Sequence, residues 1–235
     1  MINMKETVQL KIWRQRPQGE TPGFETFTLN IDTDMSVLDA FEVIRSEQDA
    51  TLMYRHSCHH SSCGTCAMKI NGIQRLACVT RISQLETRPI IVEPLSDFPV
   101  IADLVVDMAP FYQDIDEDWA YLKTAEDPGH QNLPEGISRF ERFENCIECG
   151  CCVSACPVTG EGKPFMGPAA LAAINAALQK TTGDEKELLE KAGSDRGERL
   201  CDRALACSRV CPTAVYPARH ILDLRKRLRD HGRKE

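Results

Sequence analysis

Twelve cysteines stand in this 235-residue chain, and eleven of them fall into three groups of fixed spacing. Cys58, Cys63, Cys66 and Cys78 are spaced C-x4-C-x2-C and then eleven residues to the last. Thiolates at that spacing wrap a short loop around two irons, the plant-type pattern of a [2Fe–2S] centre. The second group reads Cys146-x2-Cys149-x2-Cys152-x3-Cys156-Pro157. In such a run the fourth cysteine serves the other cluster of a pair. The third group, Cys201, Cys207, Cys211 and Pro212, repeats the run with Ala204 where a cysteine would stand. Crossing of the fourth ligands assigns Cys146, Cys149, Cys152 and Cys211 to one [4Fe–4S] cluster. Cys156, Cys201 and Cys207 remain. Three thiolates suit a cluster that lacks one iron corner, so this site is expected to hold [3Fe–4S]. The implied chemistry is electron transfer, with iron bound through these eleven cysteines and no catalytic side chain of its own.

Two other uses of cysteine fit less well. A disulfide framework belongs to an oxidising compartment and usually to a short secreted chain. The N-terminal segment Met1–Lys11 has no basic stretch followed by an apolar run of signal-peptide type. Zinc sites use paired CxxC knuckles, and zinc geometry requires neither the x3-Cys-Pro ending nor the C-x4-C-x2-C opening. Cys151 is left over between two proposed ligands, and we read it as a packing residue or a tuner of the nearby cluster.

The elements that must position these groups suggest an α+β chain of two domains. Thr7 to Arg14 alternates apolar and polar residues, as a half-buried strand does, and Phe24 to Ile31 alternates again after the turn residues of Pro17 to Gly23. Ser36 with Asp39 forms a capping box for a helix whose apolar stripe is Val37, Leu38, Phe41 and Ile44. Asn71-Gly72 between Met68-Lys69-Ile70 and Ile73 is a strong hairpin signal, and Arg88 to Leu95 reads as a further strand. Residues 1–105 are thus expected to form a β-grasp, plant-type 2Fe-2S ferredoxin-like domain. Pro99, Pro110, Pro128 and Pro134 punctuate a linker segment over 106–137, with a short helix expected over Ile101 to Phe111. From Ser138 the periodicity is helical, so 106–235 is expected to be an all-α bacterial-ferredoxin-like domain with its cysteine runs at helix ends. The two runs form a weak internal repeat, 55 residues apart from Cys146 to Cys201. The Ala-rich stretch Phe165 to Gln179 is expected to pack inside the protein.

Charge and composition exclude several functions. A net charge of −7 argues against nucleic acid, whose binding rests on Lys and Arg neutralising phosphate. No GxGxxG or Walker fingerprint is present, and no stretch approaches the roughly 18 apolar residues of a membrane span. Arg219 to Glu235 carries seven Lys/Arg against three Asp/Glu. That basic tail reads first as the solvated face of a terminal helix and second as a contact for anionic headgroups or an acidic partner. Unpaired thiols in this number imply a reducing compartment, cytosol or an inner membrane face.

The chain resembles, along essentially its whole length, the iron–sulfur subunit of the succinate dehydrogenase and fumarate reductase family. The resemblance is carried by Ser57-Cys58 to Cys66, Gly72 to Cys78, Pro99 to Met108, Cys146 to Cys152, Cys156-Pro157, Phe165-Met-Gly-Pro168 and Cys201 to Pro212. It implies the same ligand sets as the spacing does. It also implies a flavoprotein partner with covalent FAD and the dicarboxylate site, and one or more membrane-anchor subunits, with haem b among the groups such an anchor can hold. Electrons are then expected to pass from the flavoprotein through [2Fe–2S], [4Fe–4S] and [3Fe–4S] to a quinone beside the anchor, or the reverse. The subunit is accordingly expected to lie peripherally on the cytoplasmic face of the plasma membrane. Two departures point to menaquinone or an unusual acceptor rather than ubiquinone. Many ubiquinone-reducing members have a Trp in the loop after Cys-Pro, absent from Val158 to Pro164, and a His where Asp202 stands. A soluble fumarate-reductase-like flavoenzyme with a thiol or ferredoxin donor is the alternative assembly. His59 and His60 beside Cys58 are also unusual; they read first as exposed loop residues and second as a replacement ligand or a tuner of the first cluster.

Overall fold

Alternating side chains build the first strand pair of the computed structural model, which describes residues 6–16, 21–31, 34–116, 145–180 and 184–231. β1 (Glu6–Arg14) buries Val8, Leu10 and Ile12, and β2 (Gly23–Ile31) buries Phe27, Leu29 and Ile31. They pair antiparallel with Leu10 opposite Phe27. β3 (Ala67–Ile70) and β4 (Ile73–Leu76) form a hairpin whose Asn71 and Gly72 take φ of 47° and 77°. Both central residues of the favoured two-residue turn need positive φ, which Asn and Gly supply. β5 (Ile90–Glu93) lies parallel to β1 and antiparallel to β3, giving the sheet order β2-β1-β5-β3-β4.

α1 (Val37–Glu47) starts where the capping box requires: the Ser36 hydroxyl accepts from the Asp39 N–H at 3.1 Å, and the Asp39 carboxylate accepts from the Ser36 N–H at 2.9 Å. Such a cap contributes about 1 kcal/mol. Val37, Leu38, Phe41 and Ile44 are all buried.

One expected element is different. Residues Ile101 to Phe111 do not form one helix. β6 (Val100–Ala102) and β7 (Val105–Val106) pair as a small antiparallel hairpin, and only α2 (Ala109–Tyr112) is helical. The β-branched pair Val105-Val106 favours strand, and Asp103 turns the chain at φ 45°. The expectations for Pro17, Pro128, Pro134, Ser138 and the last four residues of the basic tail lie outside the described residues.

Asp103 belongs to a buried polar node. Its carboxylate accepts the Gln15 and Met53 N–H groups, each at 2.8 Å, and lies 3.2 Å from Arg14 Nε. Arg14, 4% exposed, also pairs with Asp49 at 2.6 Å and Glu25 at 2.8 Å. β1, β2, the turn after α1 and the β6–β7 hairpin are thereby tied to one guanidinium. A buried charge without its partner is costly, so each member needs the others.

The first compact unit runs to Met108 and includes Ile147–Ser154. In that later segment α3 (Cys151–Ser154) meets the sheet: Gln74 Nε2 on β4 donates to the Ser154 carbonyl at 3.0 Å, and Ser96 N–H donates to Ser154 Oγ at 2.8 Å.

The second unit comprises Ala109–Cys146 and the chain from Ala155. Its centre is α4 (Gly167–Lys180), buried on all sides from Gly167 to Leu178. An apolar helix is stable only if covered all round. α5 (Glu185–Gly193) and α7 (Pro217–His231) supply Leu188, Leu189, Ile221 and Leu224 as cover, while α6 (Ala206–Arg209) is a single turn. α7 keeps Arg219, Lys226 and Arg229 exposed, which bears out the solvated-face reading for its described part. Arg225 instead turns inward. It pairs with Glu198 and donates to the Glu198 and Cys201 carbonyls at 2.8 and 2.9 Å.

The Arg14 node yields a test. Arg14→Met keeps the side-chain volume but strands Asp103, which is 1% exposed. The expected cost is about 3 kcal/mol, read as a lowered unfolding midpoint in denaturant at unchanged iron content.

Candidate iron–sulfur centres

The first cysteine group is a loop built around sulfur acceptors. Cys58 Sγ accepts the backbone N–H groups of His60, Ser62 and Cys63 at 3.5, 3.3 and 3.3 Å. Those donors, the His60 N–H first, pull the Cys58 thiol down to about 7. Bonds to the charged form favour it, and a thiolate is what iron takes. Positive φ at His59, Ser61 and Gly64 curls the loop so that its N–H groups converge. Cys66 lies deeper. Burial, with the nearby Cys78 and Cys63 sulfurs, pushes its thiol up to about 12. Cys58, Cys63, Cys66 and Cys78 therefore form one linked group of sulfurs. None of the twelve cysteines is in a disulfide.

In the second unit the cysteines sort onto the two sides of α4. Cys146 and Cys211 pack on Ala172, Ala173, Ala176 and Val215. Cys156 and Cys201 pack on the cluster containing Leu171, Ile174 and Leu178. Cys207 joins the latter pair: burial first, then the charges of Cys156 and Cys201, push its thiol up to about 11. Each pairing takes one cysteine from each run. Cys211 Sγ also accepts the Val215 N–H at 3.3 Å. In the first unit, Cys149 is buried, and Cys152 lies in α3 beside the fully buried Cys151. The Cys151 side chain bonds to the Cys149 sulfur and, with the positive charge of Arg55, holds its thiol below the ordinary value against burial.

The weak repeat of the two runs is a repeat of backbone. Glu148 and Gly150 have φ of 52° and 80°, and Arg203 and Leu205, each 55 residues later, have 61° and 60°. α3 at 151–154 and α6 at 206–209 keep the same offset. Ala204, flanked by two left-handed residues, thus has the local backbone of Cys149.

Gly64 was not singled out by spacing. Its φ is +69°, and a Cβ there would stand 2.4 Å from the Ile147 carbonyl and 2.9 Å from Cys149 Cβ. Glycine permits both the conformation and the approach. The signal available in the sequence is its place inside the cysteine loop. His60 sits against the Cys58 carbonyl, and His59 against His56.

Loops that present several N–H groups to sulfur, and thiols gathered in threes and fours, are the fit expected for iron–sulfur clusters. Comparison with known proteins agrees. A family model described as a 2Fe-2S iron–sulfur cluster binding domain matches residues 9–113, and one described as a 4Fe-4S dicluster domain matches 142–215. The fumarate reductase iron–sulfur subunit of Mycobacterium tuberculosis is 33% identical over 92% of this chain and 90% of its own. That of Escherichia coli is 32% identical over 94% and 92%. The mitochondrial succinate dehydrogenase [ubiquinone] iron–sulfur subunit 3 of Arabidopsis thaliana is 31% identical over 93% and 74%. A chain in the structure of the Mycobacterium smegmatis Sdh1 complex in the apo form superposes with a TM-score of 0.81 at 26% identity, covering 97% of both chains. With two ferredoxin-type cluster domains in this order and relatives matching from end to end, the chain belongs to the family of iron–sulfur electron-transfer subunits of fumarate reductase and succinate dehydrogenase.

Proposed function

We propose that this subunit carries electrons between the FAD of a flavoprotein subunit and menaquinone held beside a membrane-anchor subunit, on the cytoplasmic face of the plasma membrane. The ligands in this reading are Cys58, Cys63, Cys66 and Cys78 for [2Fe–2S], Cys146, Cys149, Cys152 and Cys211 for [4Fe–4S], and Cys156, Cys201 and Cys207 for [3Fe–4S]. When bound, these groups supply one-electron steps that no side chain of the chain can perform. The observation that carries the reading is the sorting of cysteines on α4, where Cys146 shares one apolar cluster with Cys211 and Cys156 shares the other with Cys201.

The protein's own residues hold and tune. Backbone N–H groups stabilise the half-buried Cys58, while Cys151 and Arg55 stabilise negative charge on Cys149. Arg225 pins the Cys201 carbonyl to α7. Near Cys156 and Cys201, Lys163 pairs with Glu161 at 2.6 Å and feels the charge of Asp202. The absence of Trp from Val158 to Pro164 and the Asp at position 202 support menaquinone over ubiquinone. Among the described residues, no helix is long and apolar enough to cross a membrane, which suits attachment through an anchor.

The test is purification of the native complex with its partners. Flavin analysis, a haem spectrum and the co-purifying chains define the assembly. Succinate oxidation and fumarate reduction with menaquinone and ubiquinone analogues define the acceptor. Faster turnover with the ubiquinone analogue would refute the menaquinone assignment, and activity only with a thiol or ferredoxin donor would refute the quinone link.

Three variants test the ligand sets. Cys211→Ser is expected to remove the [4Fe–4S] EPR signal and Cys156→Ser the oxidised [3Fe–4S] signal; the reverse pattern would mean that each run holds its own cluster. Ala204→Cys, on a backbone that repeats that of Cys149, is expected to supply a fourth thiolate and convert the [3Fe–4S] signal to that of a lower-potential [4Fe–4S] centre. Gly64→Ala forces a left-handed alanine against Ile147 and is expected to cost at least about 2 kcal/mol, read as a lower melting temperature and as iron lost from the first centre.

A further inference from the structure

A second set of metal-ligating side chains stands beside the first cysteine loop, and the electron-transfer reading does not use it. Glu42 projects from α1, and His56 and His59 flank Cys58. All three are exposed, and one donor atom from each lies within 4.8 Å of the others. His56 Nδ1 and His59 Nε2 are 3.2 Å apart, and His56 Nδ1 is 3.9 Å from Glu42 Oε1. Two nitrogens bound to one tetrahedral zinc at about 2.0–2.1 Å stand about 3.4 Å from each other. The imidazole separation is therefore already close to that of two ligands on one ion, and a Glu42 carboxylate oxygen stands within 4.8 Å of both nitrogens.

The three groups are also held from behind. The Tyr54 hydroxyl donates to Glu42 Oε1 at 2.7 Å. The Tyr54 ring is itself buried, packed at a tilt between Phe41 at 5.1 Å and His56 at 5.2 Å. One rigid phenol thus orients both the carboxylate and the first imidazole, the kind of outer support that ligands of bound metals have. The left-handed backbone of His59, φ 60°, brings its ring edge-on to His56 at 5.3 Å. His60 is committed elsewhere, to the Cys58 carbonyl.

We propose that Glu42, His56 and His59 bind one divalent ion of the zinc class, separately from the iron of the cysteine loop. Two imidazoles and one carboxylate suit Zn2+, Ni2+ or Cu2+; Ca2+ and Mg2+ want more oxygens. Three ligands on an exposed surface leave the fourth position to water.

The experiment uses the purified complex with its full iron content, washed with a chelator and titrated with Zn2+ by calorimetry. Wild type is expected to take up one more Zn2+ per subunit than Glu42→Gln, His56→Ala or His59→Ala, each binding at least tenfold more weakly, while His60→Ala binds like wild type. Co2+ in place of Zn2+ is expected to give the visible bands of a nitrogen–oxygen site without a sulfur charge-transfer band. Iron content and the reduced [2Fe–2S] EPR signal report whether a His variant has merely disturbed the cysteine loop; if one has, Glu42→Gln, on the helix, decides. Equal Zn2+ uptake by wild type and Glu42→Gln, or a cobalt spectrum with thiolate character, overturns the proposal.

Discussion

Sulfur atoms that share a cluster must sit within a few ångströms of one another, and as thiolates they carry like charge. The rest of the molecule is organised around that constraint. Burial and crowding push Cys66 up to about 12 and Cys207 up to about 11, so these thiols resist ionisation until a cation compensates them. Cys58 goes the other way, to about 7, because three backbone N–H groups point at its sulfur. A group therefore combines a sulfur ready to bind with sulfurs that ionise only as metal enters, which couples cluster assembly to the finished fold.

Bringing N–H groups to bear on sulfur requires backbone that ordinary strands and helices do not have. Left-handed residues recur in the cysteine segments: His59, Ser61 and Gly64 in the first, Glu148 and Gly150 in the second, Arg203 and Leu205 in the third. Most are not glycine, and each costs conformational energy of order 1 kcal/mol. Packing around the loops sustains that strain. Cys149 meets Gly64, Gly150 meets Leu95, Phe98 and Met108, and Ser154 is bonded to Gln74 and Ser96. Through these contacts Ile147–Ser154 joins the unit formed by the N-terminal sheet.

α4 does the corresponding work in the second unit. Alanines at 172, 173 and 176 leave room for sulfur on one side, while Leu171, Ile174 and Leu178 face a larger apolar cluster on the other. The helix thereby gives the two pairs of cysteines different surroundings, and dielectric and solvent access are among the factors that set cluster potential.

Much of this was legible in the residues alone. The alternation of β1 and β2, the Ser36–Asp39 cap and the Asn71-Gly72 turn are local signals, because each depends on side chains within a few positions of one another. The spacing of the cysteine runs is equally local, and it announced the repeat that the backbone angles at 148, 150, 203 and 205 make concrete. What failed was the apolar segment after Pro99, read as helix. Asp103 there is captured by Gln15, Met53 and Arg14, partners 50 or more residues away that no local pattern reveals. The same holds for the inward turn of Arg225, the approach of Gly64 to Cys149, and the meeting of Glu42 with His56 and His59. Composition and spacing determined which chemistry the chain carries, since ligand type and loop length are written residue by residue. Only the tertiary structure decided which sulfurs share a neighbourhood and which charges surround them, because those depend on packing between segments far apart in the chain.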